Sequence, residues 1–417
     1  MIGDGADGGG CVEGLSRFLL EVRSTQWRTG FCLLKSGIEG LASVSLERVG
    51  VELLDTMGDH TLGFFTGLQV GSLWHHNHAH DLLDKPRRAR FTAGLKSVSA
   101  EKSENPRLEV ITSSPVFKKA GLEADMDQES WADWFKCAKL LNKELGRDAT
   151  VDRVHKLYLP VFFWLKKQIR AAKSTKDGTV IVGLSCPQGG GKTTITNFLV
   201  KMFAAEGITC AIASTDDFYH TYEKQRELAE THASNPLLEF RGNPGTMDVD
   251  LMCNTVSALA HCGPGDEVNI PRYNKSAYKG RGDRVPEEDW PMVKGPVDLV
   301  ILEGWCMGFQ PVENPSTSDI AEVNEFLKDF AKVYDLLDLM LVVEIADPEY
   351  VYDWRKQAED TMKAKGKSGM TSAQLKDFVD RFMPAYEEYL PGLYGDGVST
   401  ELPQLNIKID SNRIPID

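Results

Sequence analysis

The sequence predicts an α/β protein with a doubly wound parallel sheet. Five short apolar runs, each typical of a buried strand, alternate with helical segments; they are residues 179–185, 208–214, 297–302, 339–345 and 405–409. This alternation favours a parallel sheet that helices cover on both faces. A glycine-rich turn follows the first run, and acidic residues follow the second and third. We therefore expect the functional residues at the carboxyl ends of the strands.

The first predicted strand leads directly into a phosphate-binding motif. The chain reads Cys186-Pro187-Gln188-Gly189-Gly190-Gly191-Lys192-Thr193, and an amphipathic stretch follows over residues 194–206. The match to G-x-x-x-x-G-K-[ST] has one departure, because Cys186 stands where the first glycine belongs. A chance glycine-rich turn is the alternative, but the strand and the helix both lie where the motif requires them.

The motif has a clear physical role. Glycines let successive backbone N–H groups point at phosphate oxygens, and the helix that follows directs its positive end at the same anion. Lys192 is placed to reach the β- and γ-phosphates, and the Thr193 hydroxyl is placed to ligate Mg²⁺. We predict a nucleotide site that comprises Gln188, Gly189, Gly190, Gly191, Lys192, Thr193 and Thr194.

Two further strand ends carry acidic residues that suit phosphoryl transfer. Glu303 closes the third apolar run, where a carboxylate can hold Mg²⁺ or its water. An acid that caps a helix or faces solvent is the alternative for Glu303. Asp216 and Asp217 follow the second run, where one carboxylate can accept the proton of an acceptor hydroxyl. Neighbouring carboxylates also cap helices, so these residues alone leave their role open.

A basic loop indicates an anionic substrate. Its cations lie between glycine and proline residues; they are Arg272, Lys275, Arg281 and Arg284. An arginine fork pairs bidentately with a carboxylate or a phosphate, and a lysine adds a point charge. A solvated basic loop is the alternative.

A lid is predicted near the C-terminal end. A helix, a basic loop that contains glycine, and a second helix occupy about residues 350–390, a pattern typical of a segment that closes over a nucleotide. Arg355 in the first helix is our candidate for neutralising charge in the transition state. An ordinary surface arginine is the alternative.

Composition limits the possible partners. The 417 residues suffice for two or three domains, and a net charge of −14 argues against a nucleic acid or an anionic membrane. No apolar run approaches the roughly 18 residues of a membrane span. Eight scattered cysteines without a C-x-x-C pair indicate free thiols in a reducing compartment. We expect no nucleic-acid or membrane partner, and a monomer.

Seven motifs together resemble the plant-type D-glycerate 3-kinases, in the order of that family. They are residues 187–193 (PQGGGKT), 215–219 (TDDFY), 240–246 (FRGNPGT), 271–276 (PRYNKS), 280–284 (GRGDR), 302–305 (LEGW) and 354–359 (WRKQAE). The family stands with the phosphoribulokinases, uridine kinases and pantothenate kinases among phosphate-loop kinases. The resemblance covers about residues 125–417.

The resemblance implies a specific reaction. The γ-phosphate of ATP would pass to the 3-hydroxyl of D-glycerate, giving 3-phosphoglycerate with Mg²⁺ as cofactor. It implies a chloroplast location and a role in photorespiratory glycerate salvage, with the cytoplasm as the alternative. It assigns the catalytic acid to Asp216. Met247 stands where the family usually has histidine, so no role is assigned to that position.

The motifs and the charge pattern yield a defined set of site residues. We expect catalytic roles for Lys192, Asp216 and Arg355, and a Mg²⁺ site at Thr193 and Glu303. The residues expected to contact the substrate are Asp217, Tyr219, Arg272, Tyr273, Lys275, Arg281 and Arg284. Two alternatives stay open. One is a related kinase for uridine, pantothenate or a sugar phosphate, and the other is a binding protein switched by ATP.

We divide the chain into three parts. Residues 1–120 are expected to be a poorly ordered or targeting extension, because residues 85–119 hold nine Lys or Arg against three Glu. Residues 121–175 should form a helical subdomain packed on the kinase core, with Ser130 as an N-cap and a kink or break at Pro160. Residues 176–417 should form a P-loop NTPase domain with the lid at about 350–390.

Overall fold

The computed structural model describes residues 106–146, 149–175, 178–366 and 369–417, so most of the predicted extension lies outside the described part. The α-helices are α1 (Pro106–Thr112), α2 (Pro115–Lys119), α3 (Gln128–Leu145), α4 (Leu159–Thr175), α5 (Lys192–Ala205), α6 (Tyr222–Thr231), α7 (Val249–Ala260), α8 (Ser318–Leu327), α9 (Ala331–Tyr334), α10 (Tyr350–Ala364), α11 (Ser372–Asp380) and α12 (Met383–Gly395). The strands are β1 (Val180–Ser185), β2 (Cys210–Ser214), β3 (Glu267–Asn269), β4 (Tyr273–Asn274), β5 (Asp283–Arg284), β6 (Met292–Lys294), β7 (Leu299–Gly304), β8 (Leu339–Ile345) and β9 (Gln404–Ile409).

Five strands form one parallel sheet in the order β2-β7-β1-β8-β9. The central strand β1 is buried along its whole length, as expected for a strand that helices cover on both faces. The register places Ser185 beside Gly304 and Ser214 beside Glu303. The ends of β1, β2 and β7 therefore meet at one edge of the sheet. The predicted α/β fold with its five strands is confirmed.

Two antiparallel pairs outside the main sheet were not predicted. β3 pairs with β6, and β4 pairs with β5 so that Tyr273 lies opposite Arg284. These strands have two or three residues each, too few to produce a recognisable period in the sequence. The β4–β5 pair matters for function because it joins the two ends of the predicted basic loop.

The N-terminal helices begin earlier than the sequence analysis placed them. Ile111 on α1 and Val116 and Phe117 on α2 are buried in the same hydrophobic core as the sheet. The ring of Phe117 packs edge-on against Trp134 of α3, with centroids 5.8 Å apart. The predicted boundary at residue 121 therefore comes too late. Two short helices lie within a stretch whose composition is dominated by its positive charge.

The expected irregularity at Pro160 is present, but the helix continues through it. A π-helical turn over Asp152–Tyr158 runs directly into α4. Proline has no N–H for the carbonyl four residues earlier, which belongs to Lys156. The buried Ser114 hydroxyl donates to that carbonyl at 2.8 Å. A residue of the supposed extension thus satisfies a carbonyl that Pro160 leaves open.

The start of α3 also differs from its prediction. The N-cap is Asp127, whose carboxylate accepts the N–H of Ser130 at 2.8 Å, so the expected cap at Ser130 lies three residues too late. The hydrogen bonds from the Ser130 backbone and side chain lower the pKa of Asp127. The carboxylate and the hydroxyl were both acceptable caps in sequence, and the carboxylate occupies the position.

The C-terminal helices form the region predicted as a lid. α10 and α11 are successive helices in contact with each other, and α11 begins with a capping box between Thr371 and Gln374. α12 returns to the core, where Tyr386 and Tyr389 are buried. Among the described helices, none is both long and apolar enough to cross a lipid bilayer.

Candidate active site

The loop between β1 and α5 has the closed shape that a phosphate group requires. Gly189 and Gly191 adopt φ angles of 84° and 105°, which side chains disfavour. The Lys192 ammonium donates to the carbonyl of Cys186 at 3.1 Å, which closes the turn. An ammonium has three N–H groups, so this contact leaves capacity for phosphate oxygens. The Tyr386 hydroxyl accepts the N–H of Gln188 at 3.1 Å and fixes the start of the loop.

Cys186, the one departure from the motif, is a buried packing residue. Its sulfur lies 2.7 Å from the point that a Cβ at Gly190 would occupy, so the thiol fills the space beneath the loop. Burial raises the pKa of Cys186 to about 12. A thiol that stays protonated at neutral pH is a poor nucleophile and a poor metal ligand. Cys186 therefore replaces glycine without adding reactive chemistry.

Glu303 lies at the end of β7 with features of a cation ligand. Burial raises its pKa and the Asp216 carboxylate raises it further, against the opposing effects of Lys192 and a hydrogen bond from Ser214. Its buried Oε2 atom has no hydrogen-bond partner among the described residues. The side chain lines the same cleft as Thr193. An unpaired carboxylate oxygen beside a hydroxyl is a donor set that suits a hard cation such as Mg²⁺.

Asp216 faces the cleft and carries two contacts. One carboxylate oxygen accepts the Tyr219 hydroxyl at 2.9 Å, and the other lies 2.5 Å from the Lys275 ammonium. Burial acts to raise the pKa of Asp216, but Lys275 and Lys192 outweigh it, so the pKa is lowered. The carboxylate is therefore ionised at neutral pH and can accept a hydroxyl hydrogen bond on its remaining lone pairs.

Asp217 has a different environment from its neighbour. Its carboxylate pairs with Arg272 at 2.8 Å and accepts the N–H of Tyr273 at 3.2 Å. Burial raises its pKa, against the opposing effect of Arg272. Asp217 does not line the cleft in which Asp216 lies. Successive residues after a strand point in different directions, and here only the first acid faces the candidate substrate space.

One cleft of about 1030 Å³ contains most of the predicted site. The residues predicted from sequence that line it are Gln188, Gly189, Gly191, Lys192, Thr193, Thr194, Asp216, Tyr219, Lys275, Glu303 and Arg355. Gly190, a residue of the same loop, is buried and does not line the cleft. The structure thus brings the phosphate loop, two acids and two cations to one cavity at the carboxyl edge of the sheet.

Other residues of the predicted substrate set do not line this cleft. They are Asp217, Arg272, Tyr273, Arg281 and Arg284. Arg284 donates to the carbonyl of Tyr219 at 3.1 Å and to Asp248 at 3.3 Å. Arg272 pairs with Asp217, as described above. In this structure both arginines hold the segment around Asp216, and their expected contact with a substrate stays a prediction.

Arg281 also differs from the role expected for it. Its guanidinium lies 4.2 Å from the ring centroid of Phe240, and Arg381 covers the same ring at 3.9 Å. Phe240 and Arg381 line the cleft, whereas Arg281 does not. The guanidinium of Arg281 also lies 3.4 Å from the Glu239 carboxylate, so its contacts in this structure are to the ring and to that acid.

Arg355 lines the cleft from the lid. Its guanidinium lies 5.0 Å from the ring centroid of Phe378 on α11 and 3.7 Å from the buried Glu359 carboxylate. The Arg355 Nε atom is buried without a hydrogen-bond partner in the part of the chain that the structure describes. A partly paired guanidinium on a cleft wall has the chemistry to take up an anion, and the role of Arg355 in the transition state stays a prediction.

Trp354, the residue before Arg355, connects the lid to the phosphate loop. A Cβ on Gly189 would lie 2.5 Å from the Cβ of Trp354, so the two segments are in close contact. The Trp354 indole donates to the carbonyl of Ser411 at 2.7 Å, and the Arg413 guanidinium lies 4.8 Å from its ring. Arg413 in turn donates to the carbonyl of Gly189 at 2.8 Å. The chain after β9 is thus part of the nucleotide region.

Several lining residues were missed in the sequence. They include Ser214, Phe240, Arg241, Trp305 and Arg381. Phe240 and Arg241 belong to residues 240–246, one of the seven motifs that carry the resemblance, but the motif was given no role in the site. Met247, where the related kinases usually have histidine, is buried and its backbone bridges to Tyr219. It packs in the core and does not line the cleft.

Comparisons with known proteins agree with this geometry. The sequence profile of the Phosphoribulokinase / Uridine kinase family matches residues 181–391, which include every residue that lines the cleft. Over 327 residues the chain is 39% identical to "D-glycerate 3-kinase, chloroplastic" from Arabidopsis thaliana, which covers 74% of this chain and 72% of that protein. It is 35% identical over 250 residues to "Uncharacterized kinase mug58" from Schizosaccharomyces pombe, with 57% and 90% covered.

Two solved structures have the same fold. A D-glycerate 3-kinase from Cryptococcus neoformans var. grubii superposes with a TM-score of 0.56 at 29% identity, over 62% of this chain and 96% of that one. The YGR205w protein superposes with a TM-score of 0.52 at 32% identity, over 67% and 96%. The resemblance that seven motifs suggested is thereby confirmed.

Proposed function

Because this chain belongs to the Phosphoribulokinase / Uridine kinase family, we propose that it transfers the γ-phosphate of ATP to the 3-hydroxyl of D-glycerate. The product would be 3-phosphoglycerate. The observation that carries this proposal is the pairing of Asp216 with Lys275 at 2.5 Å in the cleft that the phosphate loop lines. A carboxylate that can accept the substrate hydroxyl and a cation that can bind the substrate carboxylate are therefore adjacent in the cleft. The 39% identity to a D-glycerate 3-kinase supports the choice of acceptor.

Each half of the reaction has its own groups. Backbone N–H groups of the phosphate loop and Lys192 bind the β- and γ-phosphates of ATP. Asp216 accepts the hydrogen of the 3-hydroxyl and orients its oxygen toward the γ-phosphorus. Lys275 binds the glycerate carboxylate, which lies two carbons from that hydroxyl. Arg355 approaches the transferring phosphoryl group from the lid and stabilises its charge.

We also propose Mg²⁺ as the cofactor, held by Thr193 and Glu303. The buried, unpaired Oε2 of Glu303 is the observation that supports this assignment. When bound at these two residues, the ion would supply positive charge that offsets the negative charge of the phosphates. The chain's own contribution is to keep the Glu303 carboxylate buried and the Thr193 hydroxyl in the cleft, so that both donors face the phosphates.

Two further expectations complete the proposal. We propose that the protein acts as a monomer. Light scattering after size-exclusion chromatography tests this directly. A chloroplast location, as printed for the Arabidopsis protein, is tested by fusing residues 1–105 to a fluorescent protein and imaging it in plant cells. Import into plastids supports photorespiratory salvage, and a diffuse cytoplasmic signal contradicts it.

Acceptor-dependent ADP formation tests the proposed activity. We would measure ADP with ATP, Mg²⁺ and one candidate acceptor at a time: D-glycerate, L-glycerate, glycerol, uridine, pantothenate or ribulose 5-phosphate. We expect rapid ADP formation with D-glycerate and a weak response to glycerol, which lacks the carboxylate for Lys275. Stronger turnover with uridine, pantothenate or the sugar phosphate would identify a different kinase. ATP hydrolysis that ignores every acceptor would indicate an ATP-switched binding protein.

A further inference from the structure

Arg241, which the sequence analysis did not single out, is surrounded by backbone carbonyl groups. Its Nη1 donates to the carbonyl of Gly280 at 2.7 Å and also to that of Arg281. Its Nη2 donates to the carbonyl of Lys275 at 3.3 Å. Three carbonyls of one loop, residues 275–282, thus converge on a single guanidinium.

The backbone of this loop has an unusual conformation. Tyr278, Lys279 and Gly280 are consecutive left-handed residues, with φ angles of 48°, 56° and 92°. Residues with side chains rarely adopt such angles, and they keep them only where surrounding contacts enforce them. On the outer side, Tyr278 stacks flat on Tyr222, with ring centroids 3.8 Å apart and an interplanar angle of 4°. On the inner side, the enforcing contact is Arg241.

Gly282 makes room for this arrangement. A Cβ at this position would lie 2.9 Å from Arg241 Nη1 and 2.4 Å from Cε1 of Tyr273. Its φ angle of 84° is also one that glycine tolerates best. The Arg241 guanidinium lies 5.4 Å from the centroid of the Tyr273 ring, which covers one face of it. The loop is therefore built around the guanidinium, with a glycine at the point of closest approach.

The first residue of the loop connects it to the chemistry. The carbonyl of Lys275 accepts a hydrogen bond from Arg241, and its ammonium donates to the Asp216 carboxylate at 2.5 Å. The Lys275 side chain is more than half exposed and is not held by burial. Its direction therefore depends on the backbone from which it projects, and that backbone is fixed by Arg241.

We propose that Arg241 is a positioning residue for the acceptor: its guanidinium holds the loop 275–282 in its left-handed form and so keeps Lys275 at Asp216. This inference rests on the proposed function for its kinetic consequence, and on the loop geometry alone for its structural one. The N–H groups of Arg241 that face the loop are occupied by carbonyls, so Arg241 acts through Lys275 and not as a direct ligand of the acceptor carboxylate.

Limited proteolysis tests the structural half without any acceptor. Trypsin cleaves after Lys279 and Arg281, both of them exposed in the loop. We expect Arg241→Ala to accelerate cleavage at these two sites. Arg241→Lys should accelerate it less, because an ammonium keeps part of the contact although it cannot span three carbonyls. Arg226→Ala is the matched control, since Arg226 forms only an exposed pair with Glu230. If Arg241→Ala does not fold, the Arg241→Lys variant decides the outcome.

Kinetics test the functional half in the same variants. We expect KM for D-glycerate to rise about ten- to hundredfold in Arg241→Ala, the effect of losing hydrogen bonds to a charged group, with KM for ATP unchanged. Guanidinium chloride at millimolar concentration should restore part of the loss in Arg241→Ala, but not in Lys275→Met. A purely structural role would affect both substrates equally and would not respond to guanidinium.

The outcomes separate this inference from the proposed function. If the wild-type protein forms no ADP with D-glycerate, the proposed function fails, and the trypsin result still decides whether Arg241 holds the loop. If D-glycerate is the acceptor but the loop of folded Arg241→Lys and Arg241→Ala resists trypsin as the wild type does, the inference is overturned. It is also overturned if KM for ATP rises as much as KM for glycerate.

Discussion

The two ends of the cleft are constructed differently. At the nucleotide end, the loop follows the central strand of the sheet, and its ligands are mostly backbone N–H groups, with Lys192 as the one side-chain cation of the loop itself. At the acceptor end, the groups proposed to bind the substrate are side chains on irregular segments, with Asp216 and Lys275 as the central pair. Arginines fasten these segments through carbonyls and carboxylates. The first end takes its geometry from the sheet, whereas the second depends on individual side-chain contacts.

This difference suggests how substitutions should act. A change at the nucleotide end should remove charge stabilisation from a frame that stays intact. A change at the acceptor end should alter one contact in a set of mutually supporting contacts. Variants that affect turnover and acceptor binding separately, with the fold preserved, are therefore the most informative tests.

Lys192→Ala should have the largest effect. The ammonium neutralises charge on the phosphates, and a cation on the transferring phosphoryl group contributes about 10³–10⁵-fold to kcat. We expect a loss on that scale with an unchanged melting temperature, because within the described part of the chain the Lys192 side chain makes one hydrogen bond, to the carbonyl of Cys186. Lys201→Ala, on the exposed side of the same helix, is the control. Near wild-type turnover of Lys192→Ala would remove the phosphate loop from the mechanism.

Asp216→Asn should have the next largest effect, at the acceptor end. The amide keeps the shape of the side chain but cannot take up the hydroxyl proton, and general-base catalysis contributes about 10²–10⁴-fold. We expect kcat and kcat/KM to fall together, with KM for ATP little changed.

Asp217→Asn is the matched variant for Asp216. Its carboxylate faces Arg272 and not the cleft, so we expect a smaller loss that appears mainly in KM for the acceptor. If Asp217→Asn gives the large loss in kcat and Asp216→Asn does not, the base is assigned to the wrong residue. If neither does, the hydroxyl is activated by positioning alone.

Ser114→Ala should have the smallest effect and should not touch catalysis. It leaves the carbonyl of Lys156 without its donor and removes the cap of α2, a loss of about 1–3 kcal/mol in the free energy of unfolding. Urea denaturation measures this loss. Ser113→Ala, at an exposed neighbouring hydroxyl, is the control. Equal stability of the two variants would mean that α2 contributes nothing to the domain, and the boundary would return to residue 121.

Sequence reasoning succeeded where a motif fixes geometry. The phosphate loop, the five strands and the position of Glu303 at a strand end follow from apolar runs and one consensus pattern. A strand, a tight turn and a helix have few ways to connect. A family motif also pointed to Asp216, which lines the cleft, and its catalytic role stays a prediction. These positions are set by backbone geometry, which local sequence largely determines.

Sequence reasoning does not reach the position of a side chain when that position depends on distant residues. Arg272 and Arg284 were expected to bind substrate, but the β4–β5 pair turns them toward Asp217 and Asp248. Arg241 and Arg381 line the cleft as well, although neither was among the predicted site residues and only Arg241 lies in one of the seven motifs. The sequence shows that a loop is basic. Only the tertiary structure shows which of its basic side chains already pair with carboxylates or carbonyls of the protein.

Trp354 gives the molecule a built-in thermodynamic linkage. Trp354 lies in the lid helix α10, and its side chain contacts the phosphate loop and donates to the carbonyl of Ser411. Arg413, in the same segment as Ser411, donates to the carbonyl of Gly189. Gly189 and Arg413 are 224 residues apart in sequence. Any ligand that orders the phosphate loop must therefore also stabilise the chain after β9. Amide hydrogen exchange near residues 410–415 becomes a remote reporter of nucleotide occupancy, without a probe in the cleft itself.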